Sequence, residues 1–213
     1  MTDLQIAFIV ITPIIVLIIV GLICYKPIMK AYTRKNFKNT YYKKIYKTTL
    51  YGDYFLINDF MFFHQDNKTT TVDHLMLGEK FIYVIKDYYF KGDLKGSGDD
   101  KSLIFVPNDE NKSKCYIDNP LLESRLTVKR LEMVTNIDRS LIIGICLVNE
   151  ECKIDVNYTD DQFYIIGIQN FQKLVKAIEA RDIPAINQDE LQQVVKDLDR
   201  LNRKGKKHVK TNI

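Results

Sequence analysis

The chain has 213 residues, 31 Lys and Arg against 27 Asp and Glu, a net charge of +4, four cysteines and no tryptophan. Cys24, Cys115, Cys146 and Cys152 show no CxxC pair and no regular spacing, which excludes a disulfide scaffold or a zinc module built on them. The modest charge hides a strong asymmetry, because the positive residues gather near the two ends.

Residues 6–25 form an apolar run without a charge, interrupted only by Pro13. At 1.5 Å per helical residue the run spans roughly 30 Å, the thickness of a bilayer's hydrocarbon core, so a transmembrane helix is expected over 4–25. Behind it stand Lys26, Lys30, Arg34, Lys35, Lys38, Lys43, Lys44 and Lys47, with no acid before Asp53. By the positive-inside rule this places the N-terminus outside and the bulk of the chain in the cytoplasm. Met1 to Gln5 lack the basic start of a secretory signal. The segment 26–50 reads as a basic juxtamembrane stalk and helix in contact with anionic lipid, at about 1 kcal/mol per basic residue near the surface.

The remaining length suits one compact domain, expected over 51–182. It opens with an aromatic-rich strand at 54–63. Strands at 71–77 and 80–86 follow, joined by Gly78-Glu79 as an antiparallel hairpin in which Gly78 is expected to take a positive φ. The glycine-rich stretch 91–100 reads as a loop and 102–106 as a return strand. Asn119-Pro120 starts a helix running to about 134, with Asn as the cap and proline in the first turn. The unbroken apolar run 141–148 reads as a strand buried on both faces at the centre of the sheet. A strand at 163–168 precedes an amphipathic helix carrying Phe171, Leu174, Val175 and Ile178. A last helix is expected over 187–202, with Asn187 and Glu190 at capping-box spacing and Leu191, Val194, Val195, Leu198 and Leu201 on one face. A basic tail, 203–213, closes the chain. The order implies an α/β domain with a mixed sheet flanked by helices. No repeat, Walker loop, GxSxG or HExxH is present.

Five pieces in order resemble the nuclease-related domain family, of the PD-(D/E)xK, restriction-endonuclease-like fold. Asn58-Asp59 ends a strand as the family's Asn-Asp pair does, and Val72-Asp73-His74 is similar to its Ile-Asp-His. The strand Phe81-Ile82-Tyr83-Val84-Ile85 resembles the one that leads into the family's Glu-x-Lys. Gly92, Leu94 and Gly96 resemble its G-x-I-x-G, and Asn119-Pro120-Leu121 its Asn-Pro-Leu before a helix. The resemblance implies a site in which two acids hold Mg²⁺ and a lysine orients the attacking water of phosphodiester hydrolysis.

Asp73 stands at the first acid of that pattern, but Lys86 stands at the second acid and Tyr88 at the lysine. A lysine there sets a positive charge beside the metal position, at a cost of several kcal/mol even at an effective dielectric near 20. Asp87 points to the opposite sheet face. Asp93 or Glu123 could take over the missing role, and Glu123 is itself a departure, since the family usually has Gln there. Asp73 and Lys86 also have a purely structural reading, an ion pair across adjacent strands. His74 reads as a hydrogen-bonded sheet histidine on the face opposite Asp73, and His64 and His208 have no recognisable partner. The resemblance thus implies a catalytically degenerate nuclease-like domain that binds nucleic acid or a protein, with Lys86, Lys91 and Lys95 as the nucleic-acid contacts and no cofactor. Two alternatives remain open at this point. One is an active DNA nuclease with rearranged ligands, Mg²⁺ on Asp73 and its neighbours; the other is a scaffold in a membrane assembly.

Overall fold

The structure, a computed structural model, describes residues 15–211 except 17, 22, 26, 30, 33 and 65–67, without side chains at 188 and 208–211. The chain divides into two units at 40/41. In the first, the described residues from 15 onward are helical but for a turn at 36. Ile15, Val16, Ile18, Ile19, Val20 and Ile23 are exposed there. Among the described residues no helix is long and apolar enough to cross a membrane. Residues 4–14, 17 and 22 of the expected span, and the side chain of His208, lie outside the described residues.

The second unit begins within helix α1 (Phe37–Gly52). Strands β1 (Phe55–His64), β2 (Lys68–Leu77) and β3 (Ile82–Asp87) pair antiparallel in succession. Strands β4 (Gly92–Ser97), β5 (Ser102–Pro107) and β6 (Cys115–Asp118) form a meander that starts a second sheet. Helix α2 (Pro120–Thr135) returns the chain to β7 (Ile142–Val148), which pairs parallel with β3. Strand β8 (Ile154–Asn157) joins the second sheet beside β4, and β9 (Phe163–Gly167) pairs parallel with β7. Helices α3 (Phe171–Glu179) and α4 (Gln188–Thr211) follow. The sheet orders are β1-β2-β3-β7-β9 and β6-β5-β4-β8.

Alternation along β3 sorts the core. Ile82 and Val84 pack with Leu75, Leu77, Cys146 and the α2 residues Leu121, Val128 and Leu131. Tyr83 and Ile85 face the other way, where Tyr83 Oη bonds Glu179 at the end of α3 (2.6 Å) and Tyr42 of α1 stacks on His74. All seven β7 residues are buried between these layers. Strand β7 is therefore interior as expected, but β3 is the middle strand.

Several expectations need correction. The hairpin loop is four residues long, since Leu77 pairs with Ile82 and the Gly78 amide donates to Phe81 O (2.8 Å). Gly78 is not among the residues of positive φ, because a four-residue loop does not force it there. It is glycine for a different reason: a Cβ would overlap the Glu179 carboxylate, which accepts from the Lys80 amide (3.0 Å) and the Tyr83 hydroxyl. The expected loop 91–100 contains strand β4. Its glycines serve close approach, for a Cβ on Gly92 would lie 2.8 Å from Pro107 Cα, and Gly96 takes φ 137°. The short strands β6 and β8 escaped the pattern because four residues give alternation too little length. The last helix runs through Thr211 rather than stopping near 202, carrying much of the expected basic tail. Asn187 caps it, its Oδ1 accepting from the Asp189 amide (3.1 Å).

Asn119 performs its expected role and more. Its Oδ1 accepts from the Leu121 amide (3.0 Å), while Nδ2 donates to Gly98 O (3.1 Å) and Asp100 O (2.8 Å). One side chain therefore starts α2 and ties it to the β4–β5 turn. Asn119→Ala should cost about 2 kcal/mol, the upper end for a lost helix cap, because buried carbonyls also lose a donor. Urea denaturation followed by circular dichroism would check this; a loss within a few tenths of a kcal/mol would refute the double role.

Candidate functional site

Three elements meet at the C-terminal end of β3. Strand β2 carries Asp73, β3 carries Lys86 with Tyr88 just beyond it, and α2 carries Glu123, one turn after its cap. Tyr88 stays in register after β3 because its amide donates to Leu147 O (2.8 Å) and its carbonyl accepts from Tyr41 Oη (3.1 Å). Period two then turns Lys86 and Tyr88 to the same face, the one covered by α2.

Glu123 is the hub. Its Oε1 is ion-paired with the Lys86 ammonium, and its Oε2 accepts from Tyr88 Oη (2.7 Å). The ammonium also lies 5.9 Å from the centre of the Tyr88 ring. Burial pushes the Glu123 pKa up, but the hydrogen bonds from Lys86 and Tyr88 outweigh it, and the carboxyl is held below its ordinary value. The cluster's stabilisation is thus present above the ordinary carboxylate range and is lost as pH falls through the lowered value. Burial, with smaller contributions from Cys146 and the bond to Glu123, holds the Tyr88 phenol protonated far above its usual range. Behind it, the buried Cys146 thiol donates to Pro120 O (3.3 Å), and burial pushes its pKa up to about 12.

Asp73 accepts from the Asp87 amide through Oδ2 (3.0 Å) and bears electrostatically on both Glu123 and Tyr88. Its neighbour across β1 is unusual. Between the pairs Asn58↔His74 and Phe60↔Val72, Asp59 adopts φ 49°, a left-handed conformation that costs a residue with a Cβ about 1–3 kcal/mol. The expected Asn-Asp pair is therefore a kink in the edge strand directly opposite Asp73.

The opposite face holds a second, buried polar arrangement. His74 Nε2 is 3.0 Å from Asp87 Oδ2, and His74 Nδ1 is 2.7 Å from Asn58 Oδ1. The Asp87 side chain is fully enclosed. His74 was expected on this face as a hydrogen-bonded sheet histidine. Its partner Asp87 was legible only in retrospect: both residues fall on the same face by period two, but their strands must first be registered.

The other sequence candidates separate. Lys86 binds Glu123 of the helix, a different partner from the cross-strand pair with Asp73 that the sequence suggested, because α2 brings a carboxylate over the strand. Of the two stand-in acids, Glu123 joins the site, whereas Asp93 serves the second sheet by accepting from the Lys153 amide (3.2 Å). Lys95 Nζ is 3.9 Å from Asp155 Oδ2. Lys91 borders a cleft of about 570 Å³ with Phe90, Phe105 and Lys112. Phe90 stacks on Tyr88, centroids 5.8 Å apart, so the cleft adjoins the charged cluster.

A divalent metal fits these residues poorly. Both Glu123 oxygens are engaged by donors, and the Lys86 ammonium brings its charge to the carboxylate a metal would need. Among the described residues no group of three or more His, Cys, Asp or Glu could hold a metal ion.

The family model of the nuclease-related domain matches residues 33–149. No curated protein matches the chain. A crystal structure of a protein of unknown function is similar at 9% identity, covering 74% of this chain and 78% of that one with a TM-score of 0.34.

Proposed function

The chain belongs to the nuclease-related domain family, and on that premise we propose that it is a membrane-attached, catalytically degenerate member that uses its former nuclease face to bind rather than to cut. The observation that carries this reading is the Lys86–Glu123–Tyr88 cluster; by the resemblance, Lys86 takes the place of the family's second acid and Tyr88 that of its lysine. An ammonium bound to Glu123 makes Asp73 and Glu123 a poor carboxylate pair for Mg²⁺, and an uncharged phenol stands in place of the lysine. The bound partner is nucleic acid or a protein. For nucleic acid the supporting features are Lys91 and Lys112 beside the aromatic cleft, Lys112 lying 3.8 Å from Asp109 of the same cleft, a combination of phosphate neutralisation and base stacking.

Attachment to the membrane is supported by the apolar run 6–25, by the basic residues behind it and by the exposed apolar side chains from Ile15 to Ile23. The same charge bias favours a cytoplasmic domain. A second reading, an active nuclease that uses Glu123 as its second acid, draws on the placement of Asp73 and Glu123 at one corner of the fold.

One experiment separates the two. The purified full-length protein, incubated with labelled single- and double-stranded DNA and Mg²⁺ or Mn²⁺, should cleave no faster than with chelator. Cleavage that needs the metal and disappears in Asp73→Ala would establish the second reading. Binding of the same oligonucleotides, measured by anisotropy, should weaken with salt and fall severalfold in Lys91→Ala with Lys112→Ala, since each lost phosphate contact removes about one counterion from the salt slope.

A further inference from the structure

Helix α1 buries one side and leaves an unusual surface on the other. Tyr41, Ile45, Thr48 and Thr49 face the domain. At about 100° per residue, Tyr46, Leu50, Lys43 and Lys47 share a single arc of about 100° on the outward side. Tyr46 is 46% exposed, Leu50 66% and Tyr51 67%. Lys43 and Lys47 are exposed beside them, and the helix contains no acid. Lys44, nearer the domain, is ion-paired with Glu150.

A lone exposed leucine needs no explanation, but tyrosines, a leucine and lysines grouped on one acid-free helical face have a matching solvent. Tyrosine rings favour the head-group level of a bilayer, with the ring body dry and the hydroxyl wet. Lysine stems reach back from that depth to anionic head groups. The exposed apolar residues Leu126 and Met133 on α2 differ, since Glu123, Lys129, Arg130 and Glu132 give that helix charges of both signs.

We infer that the Tyr46–Leu50 face of α1, with Tyr51 at its margin, lies in the head-group layer of an anionic membrane, so that the folded domain rests on the bilayer surface. The inference rests on the membrane attachment proposed above and adds a defined contact surface. It also gives part of the segment first read as a stalk a different role: its lysines flank an apolar face that enters the interface.

The absence of tryptophan provides the test. Leu50→Trp and, as a second emitter, Tyr46→Trp each give the full-length protein a single indole, with Leu126→Trp as the control on α2. Each variant is reconstituted into phosphatidylcholine vesicles with or without phosphatidylserine, and co-flotation with the vesicles is measured first. Brominated acyl chains should quench Leu50→Trp and Tyr46→Trp at least about twofold more than Leu126→Trp, as expected for a face buried at the acyl boundary. The quenching should increase with phosphatidylserine and lose that dependence when Lys43→Glu and Lys47→Glu are added. Co-flotation with equal quenching at all three positions would overturn the surface contact and leave attachment standing. Failure to co-float would overturn both. A blue-shifted indole at position 50 that bromine does not reach would show a protein surface or a second copy on this face and would overturn the lipid assignment.

Discussion

Asp87→Ala should lower the stability of the domain by about 3 kcal/mol, the upper end for leaving a buried hydrogen-bonding partner unsatisfied. The carboxylate is wholly enclosed, and its Oδ2 meets His74 Nε2 at 3.0 Å, while the other ring nitrogen is engaged by Asn58 at 2.7 Å. Removing the carboxylate leaves a buried ring nitrogen without its acceptor and a cavity between β2, β3 and α1. For a domain of this size the loss corresponds to a fall in Tm of about 6–12 °C, readable by far-ultraviolet circular dichroism. His74→Ala should fall in the same range, and the double variant should cost less than the sum of the two, since the residues act as one unit. Additive losses would show that the two side chains stabilise the sheet independently. Asp73→Ala, on the partly exposed face, should cost no more than about 1 kcal/mol. The face that carries Lys86 and Glu123 would then contribute less to stability than the face that carries His74 and Asp87.

The second large effect is expected from Lys86→Glu. The substitution removes the ammonium from Glu123 and brings a third carboxylate to the corner shared by Asp73 and Glu123. The lost ion pair is partly exposed, with Lys86 at 30% and Glu123 at 50%, so solvent screening keeps its own contribution near 1 kcal/mol or less. Like-charge repulsion adds to that, and in chelator the Tm should fall by about 2–8 °C. A divalent cation should reverse the loss, because ligand at 100 times its dissociation constant adds about 2.7 kcal/mol. The unsubstituted protein should show no such dependence, since its own ammonium already neutralises Glu123. Titration of both proteins with Mn²⁺ while Tm is followed decides the matter. If Lys86→Glu melts at one temperature with and without metal, the corner does not take a divalent cation even with three carboxylates, and the proposed degenerate site loses its support. Thermal stability is the right readout, because the result does not depend on whether cleavage is regained.

The site was legible to different depths. Period two along a single strand sufficed to put Lys86 and Tyr88 on one face and His74 opposite Asp73, because side-chain direction in a strand is local. The partners were not local. Glu123 meets Lys86 across 37 positions of sequence, and the Asp87–His74 contact needs the β2–β3 register. Distances of that kind come from the packing of α2 on the sheet and from the crossover that delivers it. Sequence could name Glu123 and Asp93 as equally available acids; only the fold sends Asp93 to the second sheet.

By itself the sequence determined the elements long enough to carry a period: the β1–β3 run, the buried β7 strand, the capped start of α2 and the two amphipathic helices at the end. It also determined the family, through short motifs in order. The tertiary structure alone decided that a glycine-rich stretch becomes a strand of a second sheet, that Gly78 is small to admit Glu179, and that the outward face of α1 holds tyrosine and leucine. Periodicity is a property of the backbone and repeats within a few residues. Pairing, close approach and exposure depend on what the rest of the chain brings alongside.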